Sequence, residues 1–230
     1  MSWYLSPLRP LAVRQGERTI GELDELPLPP DAPHGVVGAG GAGPRQHLVL
    51  VGDETVLGAG ATSMADGLPG ILARRLAALR DGEVSWQVVG EPGASSLRVH
   101  HRLVPMLPAH SDVAVLVVGM HDLLARHSVA EWRGEMAAVL DLLARKAGRV
   151  VVCGCPPMGR APLLRWPLSA SLAADARRLD VVTRELCAQR DIGFVSLQEM
   201  DTTPEDFAAD RLHPGDAGLR RRAEAVAVLL

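Results

Sequence analysis

Four short groups of acidic residues, histidines and glycines contain the side chains of this sequence that could do chemistry. They are Gly52-Asp53-Glu54-Thr55, the Gly90 to Ser95 stretch, Gly119-Met120-His121-Asp122 and Asp210-Arg211-Leu212-His213. Carboxylates and imidazoles transfer protons or bind metal ions, so these are the reactions the groups could supply. A pattern as short as Asp-x-x-His is common, and no group is specific by itself. The order of the four groups and their positions relative to the predicted elements are more specific than any one group.

Apolar strand-like runs alternate with amphipathic helical segments after residue 46, and the first three groups each follow a predicted strand. The predicted strands span residues 47–51, 84–89, 113–118, 150–153 and 193–197. Helical periodicity covers residues 68–79, 132–143 and 172–186, with a last helix from about residue 214 to residue 230. The second helix has a capping box at Ser128 and Glu131 and a stop signal at Gly148. This alternation predicts a parallel sheet with helices on both faces and functional loops at the carboxyl ends of its strands.

Taken in order, the four groups resemble the sequence blocks of the SGNH hydrolases, also called GDSL-type esterases and lipases. In that family the blocks are Gly-Asp-Ser, a glycine, Gly-x-Asn-Asp, and Asp-x-x-His before a terminal helix. The likeness runs from Leu48 to about Ala227. It implies a three-layer α/β/α domain with a five-stranded parallel sheet of flavodoxin-like order 2-1-3-4-5. It also implies an ancestral activity in which acyl esters are hydrolysed or their acyl groups transferred.

The resemblance assigns roles to individual residues. His213 matches the family's base and Asp210 the acid that orients it. Gly93 matches the glycine whose N–H donates into the oxyanion hole. The positions that shape the surrounding loops are Asp53, Gly119 and Asp122.

Two positions depart from the family pattern. Glu54 stands where the nucleophilic serine belongs, and His121 stands where an asparagine would donate to the oxyanion. Thr55 is one residue too late to replace the serine, and the sequence contains no asparagine. We therefore expect a family member without serine esterase activity, either a pseudoenzyme or a protein that binds an acyl or ester-like small molecule.

Two alternatives remain open for the same residues. In one, Glu54 and His213 perform acid/base chemistry on a bound small molecule. In the other, Glu54, His121 and His213 hold a metal ion such as zinc. In the leading interpretation, which requires neither metal nor cofactor, Glu54 and Asp210 flank His213 and raise its pKa.

Composition excludes several other classes of protein. Apolar residues make up 47% of the 230 residues and charged residues 22%, which excludes a disordered chain. A net charge of -3 gives no electrostatic case for nucleic acid or membrane partners. Because no export signal is evident and the three cysteines are few and odd in number, we expect a soluble cytoplasmic protein. A single lysine and no asparagine suggest GC-rich, bacterial coding.

Three further interpretations concern residues outside the four groups. Residues 1–46 are rich in proline and glycine, and we expect a strap and linker without regular structure, docked through Trp3, Tyr4 and Leu5. Residues 47–230 then form the domain. Adjacent His100 and His101 are interpreted as surface histidines that cannot line one site, and residues 220–222 as a solvated arginine face.

Overall fold

The computed structural model of the protein describes residues 8–21 and 26–230. Its single sheet has six strands in the order β1-β3-β2-β4-β5-β6. The strands are β1 (His34–Val37), β2 (Gly43–Gly52), β3 (Gly82–Gly90), β4 (Ser111–Val117), β5 (Ala147–Cys153) and β6 (Gly193–Val195). Strands β2 to β6 are parallel, in the predicted 2-1-3-4-5 order, which is confirmed. The predicted count of five is wrong by one, because β1 adds an antiparallel edge beside β3.

Helices cover both faces of this sheet and give the predicted three layers. They are α1 (Arg9–Gly21), α2 (Leu68–Arg80), α3 (Ser96–Arg98), α4 (Val104–Met106), α5 (Met120–Ala125), α6 (Val129–Lys146), α7 (Leu168–Ala188) and α8 (Asp216–Ala227). A π-helical turn, Val99–Leu103, joins α3 to α4. Helices α2 and α8 pack in one apolar cluster, whereas α6 and α7 pack in the cluster on the opposite face.

The side-chain sequence of the central strands explains why the sheet lies between these two clusters. Along β2, Leu48 and Leu50 enter the α2 side while Val49 and Val51 enter the α6 side. All four are at most 1% exposed. A strand buried on both faces is typical of the middle of a parallel sheet. This core brings the carboxyl ends of β2, β3 and β4 to one edge.

The N-terminal segment contains more regular structure than its composition suggests. Helix α1 and strand β1 lie within residues 1–46, and β2 begins at Gly43 instead of residue 47. β1 forms because the edge of β3 offers unpaired backbone groups, and tertiary pairing of this kind overrides a weak local preference. Trp3, Tyr4 and Leu5 lie outside the described residues. The division into strap and domain therefore stays a prediction.

Helix α6 shows where the local signals were sufficient. Its capping box is present: Ser128 Oγ accepts from the Glu131 N–H, and the Glu131 carboxylate accepts from the Ser128 N–H. The helix ends at Lys146, and β5 begins at Ala147, before the stop predicted at Gly148. The helix ends there because Ala147 already pairs with Ser111 of β4 in an extended conformation.

The three cysteines are free and buried. Cys153 lies in the cluster beside α8 and Cys155 in the cluster beside α6, so the two do not share a face as a single strand would predict. Strand β5 ends at Cys153, which lets the chain turn between them. Within the part of the chain that the structure describes, every helix is too short or too polar to cross a bilayer.

Candidate functional site

The end of β2 delivers Glu54 to the middle of the carboxyl edge of the sheet. Gly52, the last residue of the strand, has a φ of 155°, and a Cβ there would lie 1.8 Å from the Val117 carbonyl oxygen. Only glycine allows β2 and β4 to approach this closely. The chain then turns, and Glu54 is left only 7% exposed.

The carboxylate of Glu54 receives hydrogen bonds from three sides. His213 Nε2 lies 2.8 Å from Oε1, and His121 Nε2 lies 3.0 Å from Oε1 and 3.1 Å from Oε2. The backbone N–H of Gly93 donates to Oε2 over 2.9 Å. The two histidines and the glycine N–H, brought together from three parts of the chain, therefore enclose one carboxylate.

Asp210 holds His213 from its other side. Asp210 Oδ2 lies 2.5 Å from His213 Nδ1, and Oδ1 accepts from the backbone N–H groups of Leu212 and His213. The expected contact between Glu54 and His213 is present, with Asp210 completing the flanking pair. Because both ring nitrogens of His213 face carboxylates, each must carry a proton for both bonds to form.

The electrostatics of this cluster favour its charged forms. Burial alone would lower the pKa of His213, but hydrogen bonds from its ring to Asp210 and Glu54 raise it to about 9. Burial alone would likewise raise the pKa of Glu54, but hydrogen bonds from His121 and His213 hold it well below its usual range. The pKa of His121 is also raised, since its bond to Glu54 outweighs its burial. The site is a buried network of paired charges.

Gly93 and His121 come from the loops after β3 and β4. Gly93 has a φ of +75°, a left-handed conformation that turns its N–H toward Glu54, and a Cβ there would still have room beside the His121 ring. Gly119 immediately precedes α5 and has a φ of 129°, and a Cβ there would lie 2.8 Å from Cys155 Sγ. These two glycines allow the loops to close around the carboxylate.

Asp122 fastens the two loops to each other. Its side chain is fully buried and accepts from the backbone N–H and hydroxyl of Ser96 and from His127 Nδ1. The resemblance placed Asp122 among the loop-shaping residues, and its contacts fit that role. The sequence analysis did not find Ser96 and His127, and no spacing signal links them to Asp122.

Asp53 and Arg222 are further buried ionisable residues near Glu54, and the sequence analysis did not predict Arg222 there. Asp53 is 3% exposed. Its burial, and to a smaller extent the negative charge of the neighbouring Glu54, raise its pKa to about 6. Arg222 is 8% exposed and lies close enough to interact with Asp53, and burial lowers the pKa of its guanidinium. The prediction of a solvated face at residues 220–222 is therefore wrong for Arg222, because that position lies nearly two turns into α8 on the buried face of the helix.

The arrangement of Glu54, His121 and His213 suits hydrogen bonding more than metal binding. Among the described residues, the group that brings three possible ligand atoms within 4.8 Å of one another is His100, His101 and Glu135, and the Glu54 cluster does not meet this criterion. Both imidazoles instead aim at one carboxylate at hydrogen-bond distance. An ion shared by these side chains would replace the hydrogen bonds between Glu54 and both histidines.

The chain is similar to a known protein family over most of its length. The model of the GDSL-like lipase/acylhydrolase family matches residues 50–221. The chain belongs to this family. No curated protein matches it.

Solved structures of similar fold agree with this membership. An α/β hydrolase enzyme, LAE5, from the metagenome of Lake Arreo in Spain has a TM-score of 0.64 at 14% identity, over 80% of this chain and 94% of that one. The protein TesA has a TM-score of 0.62 at 23% identity, over 80% and 98%. An extracellular lipase from Streptomyces rimosus has a TM-score of 0.60 at 15% identity, over 80% and 100%. At these identities the likeness shows the fold of this GDSL-like chain and not its activity.

Proposed function

We propose that this GDSL-like family member lacks serine esterase activity and acts as a binding protein for an acyl or ester-like small molecule. The observation that carries the loss of activity is the position of the Glu54 carboxylate. One oxygen meets His213 as a nucleophile's hydroxyl would, and the other accepts from Gly93 as an oxyanion would. The side chain thus occupies both places that an ester carbonyl and its attacking group need.

An ester could react with Glu54 only through a far weaker nucleophile. A carboxylate attacking an ester would form a mixed anhydride, and hydrogen bonds from His121, His213 and Gly93 further lower its reactivity. His213 cannot serve as a general base while it is protonated, and its pKa of about 9 keeps it so at neutral pH. Both parts of the acyl-transfer route are therefore disabled.

Acid/base chemistry by Glu54 and His213 is the second candidate, and the electrostatics disfavour it. Efficient proton transfer needs groups whose pKa lies near the operating pH. The pKa of Glu54 is held well below its usual range and that of His213 is raised to about 9. The pair is fixed as carboxylate and imidazolium at pH 7.

A cavity of about 310 Å³ supports the binding role. It lies at the end of α5 away from His121, and its size is at the lower limit for small-molecule sites. Its walls combine apolar side chains with polar ones, among them Leu123, Leu172, Leu179, Arg126, His127 and Ser128. His127 lines this cavity and contacts the carboxylate of Asp122, and Asp122 directly follows His121 in the sequence. A ligand in the cavity would therefore contact the segment that also carries His121 to Glu54.

The buried free cysteines support our proposal of a reducing, cytoplasmic location.

The decisive experiment is an esterase assay with short-chain aryl esters. We expect the wild type to match a blank and the double variant Glu54→Ser with His121→Asn to gain turnover. Adding His213→Ala to the double variant should lower that turnover by at least about 100-fold, because the general base is then missing. Wild-type turnover that is lost in Glu54→Ala would instead make Glu54 a nucleophile and overturn the proposal.

Calorimetric titration with short-chain fatty acids and their methyl esters tests the binding role. Ser171→Trp places a large ring in the cavity wall and should abolish binding. Arg177→Trp, at an exposed position of the same helix, is the matched control and should bind normally. Equal binding by both variants would place the ligand elsewhere.

A further inference from the structure

His100, His101 and Glu135 form a second cluster of ionisable side chains, separate from the Glu54 site. His100 Nδ1 lies 2.7 Å and His101 Nε2 lies 3.8 Å from the same oxygen, Glu135 Oε2. The ligand atoms of the three residues lie within 4.8 Å of one another. Two imidazoles and one carboxylate oxygen therefore converge on one point of the surface.

The π-helical turn explains how adjacent histidines meet, which the sequence analysis considered impossible. On a regular helix, neighbouring side chains diverge. Here the turn widens, and the Val104 N–H donates to the Val99 carbonyl five residues back. Pro105 follows, has no N–H to donate, and cannot continue a regular hydrogen-bond ladder. The centroids of the two imidazole rings lie 4.0 Å apart, and the ring planes are tilted by 36°.

The distances suit a four-coordinate metal ion. Zn²⁺ binds imidazole nitrogen and carboxylate oxygen at about 2.0–2.2 Å, so its ligand atoms lie roughly 3.3–3.5 Å apart in a tetrahedron. The observed separations of 2.7 and 3.8 Å lie on either side of that value. The required changes in separation are roughly 0.3–0.8 Å, a size that side-chain rotation can supply.

We propose that His100, His101 and Glu135 bind a divalent transition-metal ion, with zinc as the best match to the ligand set. Two neutral imidazoles, a carboxylate and one water complete a tetrahedral N₂O₂ site. The side chain of His101 is 62% exposed, whereas those of His100 and Glu135 are 23% and 26% exposed. Two ligands are thus held by packing, and the third closes on the ion from the solvent side.

The location gives the ion a structural consequence. Glu135 lies on α6, and the histidines lie on the helical segment that begins at Ser96, just after the Gly93 loop. An ion would join these two elements, a few residues beyond Ser96, which Asp122 holds. We therefore expect metal binding to raise the melting temperature of the protein.

Isothermal titration of the untagged full chain with Zn²⁺ tests the site. We expect one ion per chain, and His101→Ala and Glu135→Gln should each weaken binding by at least about tenfold. His101 is exposed, so its loss should leave the fold intact. His110→Ala, another exposed histidine to alanine change, is the matched control and should bind as the wild type does.

Two further measurements separate this site from its rivals. Electron paramagnetic resonance of the Cu²⁺ form should show two coupled imidazole nitrogens in the wild type and one in His101→Ala. His121→Ala should retain the ion, whereas loss of binding in that variant would move the metal to the Glu54 cluster and overturn the proposal. Binding unaffected by His101→Ala and Glu135→Gln, or no binding at all, would leave only an ion pair and overturn it equally.

Discussion

Glu54 places a buried negative charge at the carboxyl edge of the sheet. Its carboxylate contacts the rings of His213 and His121 and accepts a hydrogen bond from the Gly93 N–H. Burying a charge is costly unless it is paired and fully hydrogen-bonded, and Glu54 satisfies both conditions. These donors therefore make the burial of the Glu54 charge energetically acceptable.

The first prediction at this scale concerns the protonation of His213. In the wild type its ring should titrate near the pKa of about 9. Glu54→Gln removes one flanking negative charge, so the midpoint should fall while Asp210 keeps part of the shift. Titration of the ring by NMR measures both midpoints, and the histidines that do not contact Glu54 serve as internal references; His121 contacts it and is not one of them. An unchanged midpoint in Glu54→Gln would contradict the pairing.

The second prediction is a pH-dependent loss of stability in Glu54→Gln. The raised pKa of His213 contributes stability that is complete below its ordinary value of 6.5 and is lost as pH rises through about 9. The lowered pKa of Glu54 contributes stability that is present above 4.5 and is lost as pH falls below it. The variant should therefore be less stable by about 1–3 kcal/mol between these limits, near pH 6, with a smaller difference above pH 9.

Urea unfolding followed by circular dichroism at several pH values measures this difference. Glu205→Gln, at an exposed position, is the control and should change stability little at any pH. A difference that grows above pH 9 would reverse the expected sign and reject the linkage between Glu54 and His213.

How far the site could be predicted depends on how local its contacts are. Asp210 and His213 lie three residues apart, and block order placed Glu54 beside them, so this cluster was accessible from the sequence. Arg222 and His127 were not, because their partners are fixed by helix packing and loop closure across the fold. Neither contact leaves a spacing pattern.

At the scale of elements, two glycines show the difference between a position where helix propensity decides stability and one where close packing decides it. Gly134 lies at an exposed position inside α6, and a Cβ there would meet nothing within 4 Å. Gly134→Ala should stabilise the protein by about 0.5–1 kcal/mol, since alanine has the higher helix propensity. Thermal unfolding measures the change. The contrasting variant Gly52→Ala should be strongly destabilised by its clash with Val117, and equal effects would refute the argument.

The elements that the sequence predicted are those with strong patterns of their own. The central strands of the parallel sheet contain buried apolar runs, and α2, α6 and α7 have clear amphipathic periodicity. β1 is four residues long with alternating partial exposure, and α1 buries little beyond Ala12 among its described side chains. Both acquire their structure from neighbours, which local patterns do not encode.

At the scale of the whole molecule, the described residues 26–46 contact the rest of the chain at several points. Pro27 accepts a hydrogen bond from the Gly60 N–H, and the Asp31 carboxylate accepts from the Met64 N–H, both in the loop that follows Glu54. β1 then pairs with β3 and covers Trp86, which is only 6% exposed. A truncation therefore removes more than a linker.

The last prediction compares two truncations. Removal of residues 1–46 should leave a folded domain, because the apolar clusters of the sheet lie almost wholly after residue 47. It also uncovers the edge of β3 and the Trp86 ring, and an exposed edge strand is a template for pairing with another chain. Removal of residues 1–33 keeps β1 and is the matched control. Circular dichroism should show for both fragments the helix content of the full chain less that of α1. Light scattering should show concentration-dependent association only for the longer truncation. A molten 47–230 fragment would mean that the N-terminal residues complete the core, whereas two equally monomeric fragments would mean that β1 does not protect the sheet edge.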